Sequence, residues 1–74
     1  MEITVKLHGV FRSGRYKEAG HRLPDGSTVR SVVEQLHLSP ALLGIVLING
    51  IHADVDQVLK HGDTLSLLPV LDGG

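Results

Sequence analysis

The sequence predicts one small α+β domain, in which a mixed β-sheet packs against one main helix in the element order ββαββ. Polar and apolar residues alternate at the start of the chain and again before its end, which is the period of a strand with one buried face. Between these segments, residues 29–36 carry apolar side chains at helical spacing. A length of 74 residues leaves room for one domain only.

Composition predicts a chain that folds, and it excludes several classes of function. Leu, Ile, Val and Phe supply 26 of the 74 residues, a share well above the level, roughly 20%, at which chains stay disordered. The net charge of −1 argues against non-specific nucleic-acid binding, which requires a surplus of basic residues. Because the chain has no cysteine, disulfides and thiolate chemistry are excluded.

The apolar segments predict a soluble, cytoplasmic protein that does not enter a membrane. The longest nearly unbroken apolar run covers residues 41–48 and is too short to span a bilayer. Residues 1–6 alternate in polarity where a signal peptide would have a continuous apolar region.

The first half of the chain predicts a β-hairpin and a helix. The first strand carries an alternating apolar set, Ile3, Val5 and Leu7. A second strand is expected within residues 17–23, and a Pro-Asp-Gly turn signal at residues 24–26 ends it. Ser27 or Thr28 can cap the helix that follows. Its apolar stripe consists of Val29, Val32, Val33 and Leu36.

The second half predicts a short helical turn and the remaining strands. Ser39 and Pro40 begin the turn, and Gly44 is expected to stop it. Residues 45–48 are continuously apolar, which predicts a strand buried on both faces. An Asn-Gly pair at residues 49–50 then predicts a tight hairpin.

The last strand follows residue 63, and its pairing should end near Pro69, which has no N–H to donate. A right-handed crossover through the helix would place this strand beside the first strand and parallel to it. That arrangement is the β-grasp, or ubiquitin-like, fold.

Within this domain, no pattern is typical of catalysis or metal binding. The five histidines lack the spacing of a zinc site. Asp54 and Asp56 lack the other ligands of an EF-hand and are expected to form turns. Arg12, Arg15 and Lys17 form a basic cluster in the first hairpin loop. A solvated loop tip is the first interpretation of this cluster, and a docking patch for an acidic protein is the second.

The C-terminus differs from the rest of the chain because it offers a reactive group. Two glycines, Gly73 and Gly74, end the sequence, and chance places two there only ~0.5% of the time. Glycine adds no packing, but a two-glycine end can thread a narrow channel to another protein's active site. The reactive group would be the α-carboxylate of Gly74. We therefore predict a domain over residues 1–70 and a flexible tail over residues 71–74.

Chemistry at this carboxylate requires a second protein. An ionised carboxylate is a poor electrophile at neutral pH. In an acyl adenylate, the carboxyl group has lost its negative charge and carries AMP as a good leaving group. The chain has no phosphate-binding loop. A separate enzyme is therefore expected to use ATP for this activation, and no cofactor is expected on the chain itself.

Several short segments carry a family signature when they are taken together. They are Ile48-Asn49-Gly50, Ala53-Asp54, Leu59, Gly62-Asp63-Thr64-Leu65 and Leu68-Pro69-Val70-Leu71-Asp72-Gly73-Gly74. In this combination the chain resembles the MoaD/ThiS family of ubiquitin-like sulfur-carrier proteins. The resemblance implies that a ubiquitin-activating-type enzyme, similar to MoeB or ThiF, adenylylates Gly74, which is then converted to a thiocarboxylate.

The resemblance also implies roles for the residues before the last glycine. Gly73 would thread the partner's channel. The partner-binding segment would consist of Leu68, Pro69, Val70, Leu71 and Asp72. The carrier would act as a substrate, or as the small subunit of a synthase, rather than as an enzyme with catalytic residues of its own.

The pathway is predicted from Pro69-Val70, which resembles the end of the molybdopterin synthase small subunit. The implied partners are a MoaE-like large subunit and a sulfur donor, and the product is a molybdenum or tungsten pterin cofactor. Leu68 departs from the family's usual proline, and Asp72 adds a charge where a small residue is usual. A carrier for thiazole synthase in thiamin synthesis is the alternative within the family.

Two further classes of function stay open. The same activated glycine could be joined to a lysine of a target protein, as in ubiquitin-like modification. Alternatively, the domain could be a plain interaction module that uses its sheet face or its basic loop. Deletion of Gly73 and Gly74 separates these classes, because only an interaction module would keep its function without them.

Overall fold

The computed structural model describes residues 1–71 and contains five strands and one α-helix. In chain order these are β1 (Glu2–Leu7), β2 (Glu18–Arg22), α1 (Val29–Gln35), β3 (Leu43–Ile48), β4 (Ile51–His52) and β5 (Thr64–Pro69). Short 3₁₀ turns cover Gly9–Arg12 and Pro40–Leu42. The predicted order is confirmed, with the second hairpin adding the two-residue strand β4.

The strands form one mixed sheet in the order β2-β1-β5-β3-β4. β1 and β5 run parallel, with Val5 opposite Leu65, and the other neighbours run antiparallel. The predicted parallel pairing of the first and last strands is therefore confirmed. This is the β-grasp arrangement, in which the last strand of the chain lies in the middle of the sheet.

The core lies between one face of the sheet and α1. Its buried side chains include all three predicted residues of β1, three of the four predicted residues of the helical stripe, and Leu65 and Leu67 of β5. Of the two predicted caps, Thr28 is the one that caps α1. Its Oγ1 accepts from the Ser31 N–H at 3.3 Å, and its own N–H donates to Ser31 Oγ at 3.0 Å. This reciprocal pair satisfies two amides at the helix start.

Two predictions for the region of β3 are wrong. Gly44 does not stop the short turn, since the turn ends at Leu42 and Gly44 lies inside β3. β3 is also not buried on both faces, because Val46 is buried whereas Ile45 is 37% exposed. The physical reason is that a helix covers one face of the sheet, so the opposite face of β3 stays open.

The loop between β1 and β2 is anchored to the domain, whereas the sequence had predicted a solvated loop tip. Phe11 anchors it in the core with 2% of its surface exposed. Arg12 Nε donates to the Leu7 carbonyl at 3.0 Å. Arg15 Nε donates to the Leu36 carbonyl at 3.0 Å, where α1 presents carbonyls without partners in the helix. The predicted basic cluster lies at the surface, but two of its three residues hold backbone carbonyls in place.

Within residues 1–71, the helices are all too short or too polar to cross a membrane.

Candidate functional site

The C-terminal segment leaves the domain from the middle of the sheet. β5 lies between β1 and β3, so the strand that precedes the tail is fixed along both of its edges. The exposed fraction of the residues rises directly after the strand: Val70 is 47% exposed and Leu71 is 92% exposed. A rigid strand thus passes into an accessible segment within two residues.

Backbone contact continues one residue past the predicted end of pairing. Pro69 lies opposite Leu43 as the last residue of β5. The Val70 N–H then donates to the Leu42 carbonyl at 2.6 Å. Pairing therefore ends near Pro69, as predicted, but Val70 is still attached to the domain through its amide.

The predicted partner-binding segment divides between strand and tail. Leu68 and Pro69 are partly buried in β5, whereas Val70 and Leu71 lie exposed beyond it. Asp72, Gly73 and Gly74, to which the covalent and threading roles were assigned, lie outside the described residues. The predictions for a flexible tail and for these three residues stay predictions.

An apolar surface surrounds the start of the tail on the open face of the sheet. Ile45 lies opposite Leu68 in the antiparallel ladder, which places their side chains on the same face. Leu42 is 45% exposed at the point where Val70 is bonded. We call the set Leu42, Ile45, Leu68, Val70 and Leu71 the exit surface.

Sequence reasoning missed Leu42 and Ile45 as members of the exit surface. Leu42 was assigned to a helical turn and Ile45 to a fully buried strand. The run of residues 41–48 contains no polar residue that would mark an open face. Only the pairing of β3 with β5 shows which of these residues lie beside the tail.

On the same open face of the sheet, the surface formed by β1 and β2 is charged. Lys6 Nζ lies 3.8 Å from Glu18 Oε1, and Arg22 Nη2 donates to Glu2 Oε1 at 2.7 Å. These exposed pairs lie on β1 and β2, toward the edge of the sheet opposite to β3 and β4. The face therefore changes from ionic on the β2 side to apolar on the β3 side.

A polar network fixes the start of β5. Asn49 Nδ2 donates to Asp63 Oδ1 at 2.9 Å, and Asn49 Oδ1 accepts from the Thr64 N–H at 2.9 Å. The other carboxylate oxygen of Asp63 accepts from the Lys60 N–H at 2.8 Å. Residues that carried the family resemblance thus connect the β3–β4 hairpin to the strand that bears the tail.

The titratable groups whose pKa values shift have local structural partners. Burial raises the pKa of Tyr16, while the charge of Arg15 opposes that shift, and its hydroxyl bonds to His21. The hydrogen bond and charge of Arg30 hold the pKa of Asp56 below its usual value. Among residues 1–71, no three His, Cys, Asp or Glu side chains come together as a metal site.

Comparisons with known proteins agree with this geometry. A sequence model described as the ThiS family matches residues 5–74. A Pyrococcus furiosus protein assigned as molybdopterin converting factor subunit 1 is similar in structure, with a TM-score of 0.78 and 24% identity over 96% of this chain and 99% of that one. No curated protein sequence matches the chain.

Two other solved structures cover 100% of both chains. SAMP1 of Haloferax volcanii has a TM-score of 0.77 and 22% identity. Subunits 1 and 2 of the molybdopterin-converting factor of Helicobacter pylori were solved as a complex, and the matching chain has a TM-score of 0.68 and 23% identity. At this level of identity, these structural similarities show the shared fold.

Proposed function

We propose that this chain, which belongs to the MoaD/ThiS family of ubiquitin-like sulfur carriers, carries sulfur as a thiocarboxylate on Gly74. As a carrier of this family it is a substrate of other enzymes rather than an enzyme itself. The proposal adds to family membership the residue that is modified and the chemistry that modifies it.

The proposed activation takes place at the α-carboxylate of Gly74. A MoeB- or ThiF-like enzyme would join one carboxylate oxygen to the α-phosphorus of ATP, and pyrophosphate would leave. A persulfide sulfur would then attack the acyl carbon and AMP would leave. Reduction of the acyl disulfide by a thiol would give the thiocarboxylate. Because ATP and persulfide come from partners, the chain needs no cofactor of its own.

The observation that best supports this proposal is the abrupt change from fixed strand to exposed segment after Pro69. Leu71 is 92% exposed, so the last described residue lies at an accessible position. From Leu71 to Gly74, three residues can extend about 10 Å at full stretch. That reach suits an end that must enter a recessed active site on another protein.

The exit surface is the proposed docking site for these partners. Its five apolar residues lie beside the start of the tail, so a partner that contacts them also receives the glycines. Burial of apolar surface is the main favourable contribution to the free energy of most protein–protein association. Asp72 would place a negative charge next to this surface and favour a partner with a basic residue at the channel mouth.

A pterin cofactor is the proposed destination of the sulfur. The support is that two of the similar structures are molybdopterin converting factor subunits, one of them in complex with its subunit 2. A MoaE-like large subunit would then be the acceptor protein, and the proposed setting is the cytoplasm. The family model is that of ThiS, so delivery to a thiazole synthase is the alternative within the same chemistry.

Protein modification is a second candidate function. It is favoured by the similarity to SAMP1, a small archaeal modifier protein. The same adenylate would be attacked by a lysine amine instead of a persulfide. Conjugates of higher mass in cell extract, absent when Gly74 is removed, would support this function.

The first test of the proposal is an intact mass measurement. The chain is incubated with ATP, a persulfide donor and either a MoeB-type or a ThiF-type activating enzyme. We expect a mass increase equal to the replacement of one oxygen by sulfur, and no increase in a chain that lacks Gly74. An unchanged mass with both enzyme types would contradict the proposal.

A further inference from the structure

We infer that Gly44 is a positioning residue that sets the direction in which the tail leaves the domain. It does so by letting the backbone of Pro69 and Val70 lie directly against β3. The inference rests on the proposed function, because the direction matters only when the end of the chain must reach a partner's active site.

The space beside Gly44 has no room for a side chain. A methyl group built on its Cα would lie 2.8 Å from both Cα and N of Val70 and 3.0 Å from the carbonyl carbon of Pro69. These contacts are shorter than a carbon atom tolerates. All three atoms belong to the main chain, so no side-chain rotation relieves the overlap. Any larger residue at position 44 must therefore shift the main chain of β3 or the start of the tail and change how the two pack.

Gly44 is also the extra residue of an irregularity in the sheet. Leu43 lies opposite Pro69 and Ile45 lies opposite Leu68, so two steps along β3 match one step along β5. A glycine within a strand often marks such a bulge or the close approach of another backbone. Gly44 marks both. The backbone of Val70 lies directly against it, and next to the bulge the Leu42 carbonyl oxygen lies 2.6 Å from the Val70 amide nitrogen.

Space, rather than backbone conformation, requires glycine at this position. The glycines with positive φ are Gly9, Gly14, Gly26, Gly50 and Gly62. Gly44 is not among them, so an alanine there would meet no strain from its own φ. The effect of a substitution would therefore report on the contact with Val70.

Pro69 is confined from a second direction by Gly9. A methyl group on Gly9 would lie 3.1 Å from Cγ of the proline ring. The ring fixes its own φ, and the two glycines limit where the ring and the next amide can lie. The exit direction is thus set by close main-chain packing on both sides of one proline.

The matched test compares Gly44→Ala with Gly20→Ala. Gly20 also lies in a strand without positive φ, but the nearest atom to its added methyl group would be the Ile3 carbonyl oxygen at 4.0 Å. Adenylylation is measured by pyrophosphate release with the activating enzyme that accepts the wild-type chain. We expect kcat to fall about tenfold or more in Gly44→Ala, because small misplacements of a reacting group cost that much. Gly20→Ala should stay within about twofold of wild type.

A saturation curve separates positioning from loss of stability. A domain that is merely less stable supplies fewer folded copies, which raises the apparent KM and is overcome by adding more carrier. A misdirected tail lowers kcat even when every enzyme molecule has bound a carrier. We expect the change in kcat for Gly44→Ala at a temperature well below its Tm.

A second measurement needs no partner. Amide exchange of the free protein should show Val70 exchanging more slowly than Leu71 in wild type and in Gly20→Ala, and equally fast in Gly44→Ala. A protected Val70 amide together with wild-type kcat in Gly44→Ala would overturn the inference. If no activating enzyme accepts even the wild-type chain, the proposed function fails, and amide exchange alone decides whether Gly44 holds the exit.

Discussion

The loop between β1 and β2 and the segment after β5 both lie outside the strands and the α-helix, but they differ in how they are attached to the domain. The loop is anchored by the buried Phe11 and by arginine side chains that donate to backbone carbonyls. Among the described residues beyond β5, the one backbone bond runs from Val70 to Leu42. The comparison shows that irregular structure is held in place where it supports the fold and is left accessible at the segment that we propose a partner contacts.

The loop also supports the exit. His8 donates its amide to the Leu67 carbonyl at 3.2 Å, and Gly9 faces the ring of Pro69. The anchored loop between β1 and β2 therefore packs against Pro69, the residue after which the exposed segment starts. This division predicts that loop variants change stability and tail variants change activity.

The largest expected effect follows from deletion of Gly73 and Gly74. Thiocarboxylate formation should be lost completely, because the reactive carboxylate is displaced from its threading position. The Tm should be almost unchanged, since neither deleted glycine has a side chain to pack. Intact mass spectrometry and thermal unfolding measure the two quantities, with the full-length chain as the control. A large fall in Tm would show that the tail packs on the domain and would remove the contrast between the regions.

Phe11→Ala should produce the largest loss of stability. Truncation of a buried Phe costs about 3–5 kcal/mol, and a domain of this size has only ~4–11 kcal/mol in total. Chemical denaturation measures the free energy of unfolding. Val10→Ala is the matched control, because Val10 is its exposed neighbour in the same turn. Similar losses for the two variants would mean that Phe11 does not anchor the loop.

Leu71→Asp should weaken partner binding without changing stability. The side chain is almost fully exposed, so its loss costs the free domain nothing. An apolar contact replaced by a charge should reduce affinity for the activating enzyme about tenfold, or ~1.4 kcal/mol. Ile51→Asp is the control, because Ile51 is also exposed but lies on β4. Equal losses of affinity would show that binding is not centred on the exit surface.

Arg15→Ala should have the smallest effect of the four. Its guanidinium donates to carbonyls at the end of α1, and exposed contacts of this kind contribute ~1 kcal/mol. The free energy of unfolding should fall by that amount while kcat for adenylylation stays unchanged. Lys17→Ala removes a nearby charge as the control. A loss of activity instead of stability would support the docking interpretation of the basic cluster.

The sequence predicted most of the fold because the relevant signals are local. Alternation at Ile3, Val5 and Leu7 and the helical stripe after Thr28 depend on spacing within a few residues. The parallel pairing of β1 and β5 followed from the handedness of crossovers. The functional end was predicted from glycine composition and resemblance, and its last three residues lie outside the described structure.

What the sequence could not predict depends on contacts between distant residues. Arg15 and Leu36 are separated by 21 positions, and nothing near either residue indicates that they bond. The role of Gly44 depends on the backbone of Val70, which reaches it only through strand pairing. A local pattern instead indicated that Gly44 ends a turn, since that is a common role for glycine.

The exit surface is divided between strands that are far apart in sequence. Ile45 comes from β3 and Leu68 from β5, and the two become neighbours only when the sheet has formed. A newly made or partly unfolded chain would carry the same terminal glycine but would present no continuous surface for an activating enzyme. Under the proposed function, sulfur would then be loaded only onto folded copies of the carrier. ATP would not be consumed on copies that cannot deliver the sulfur.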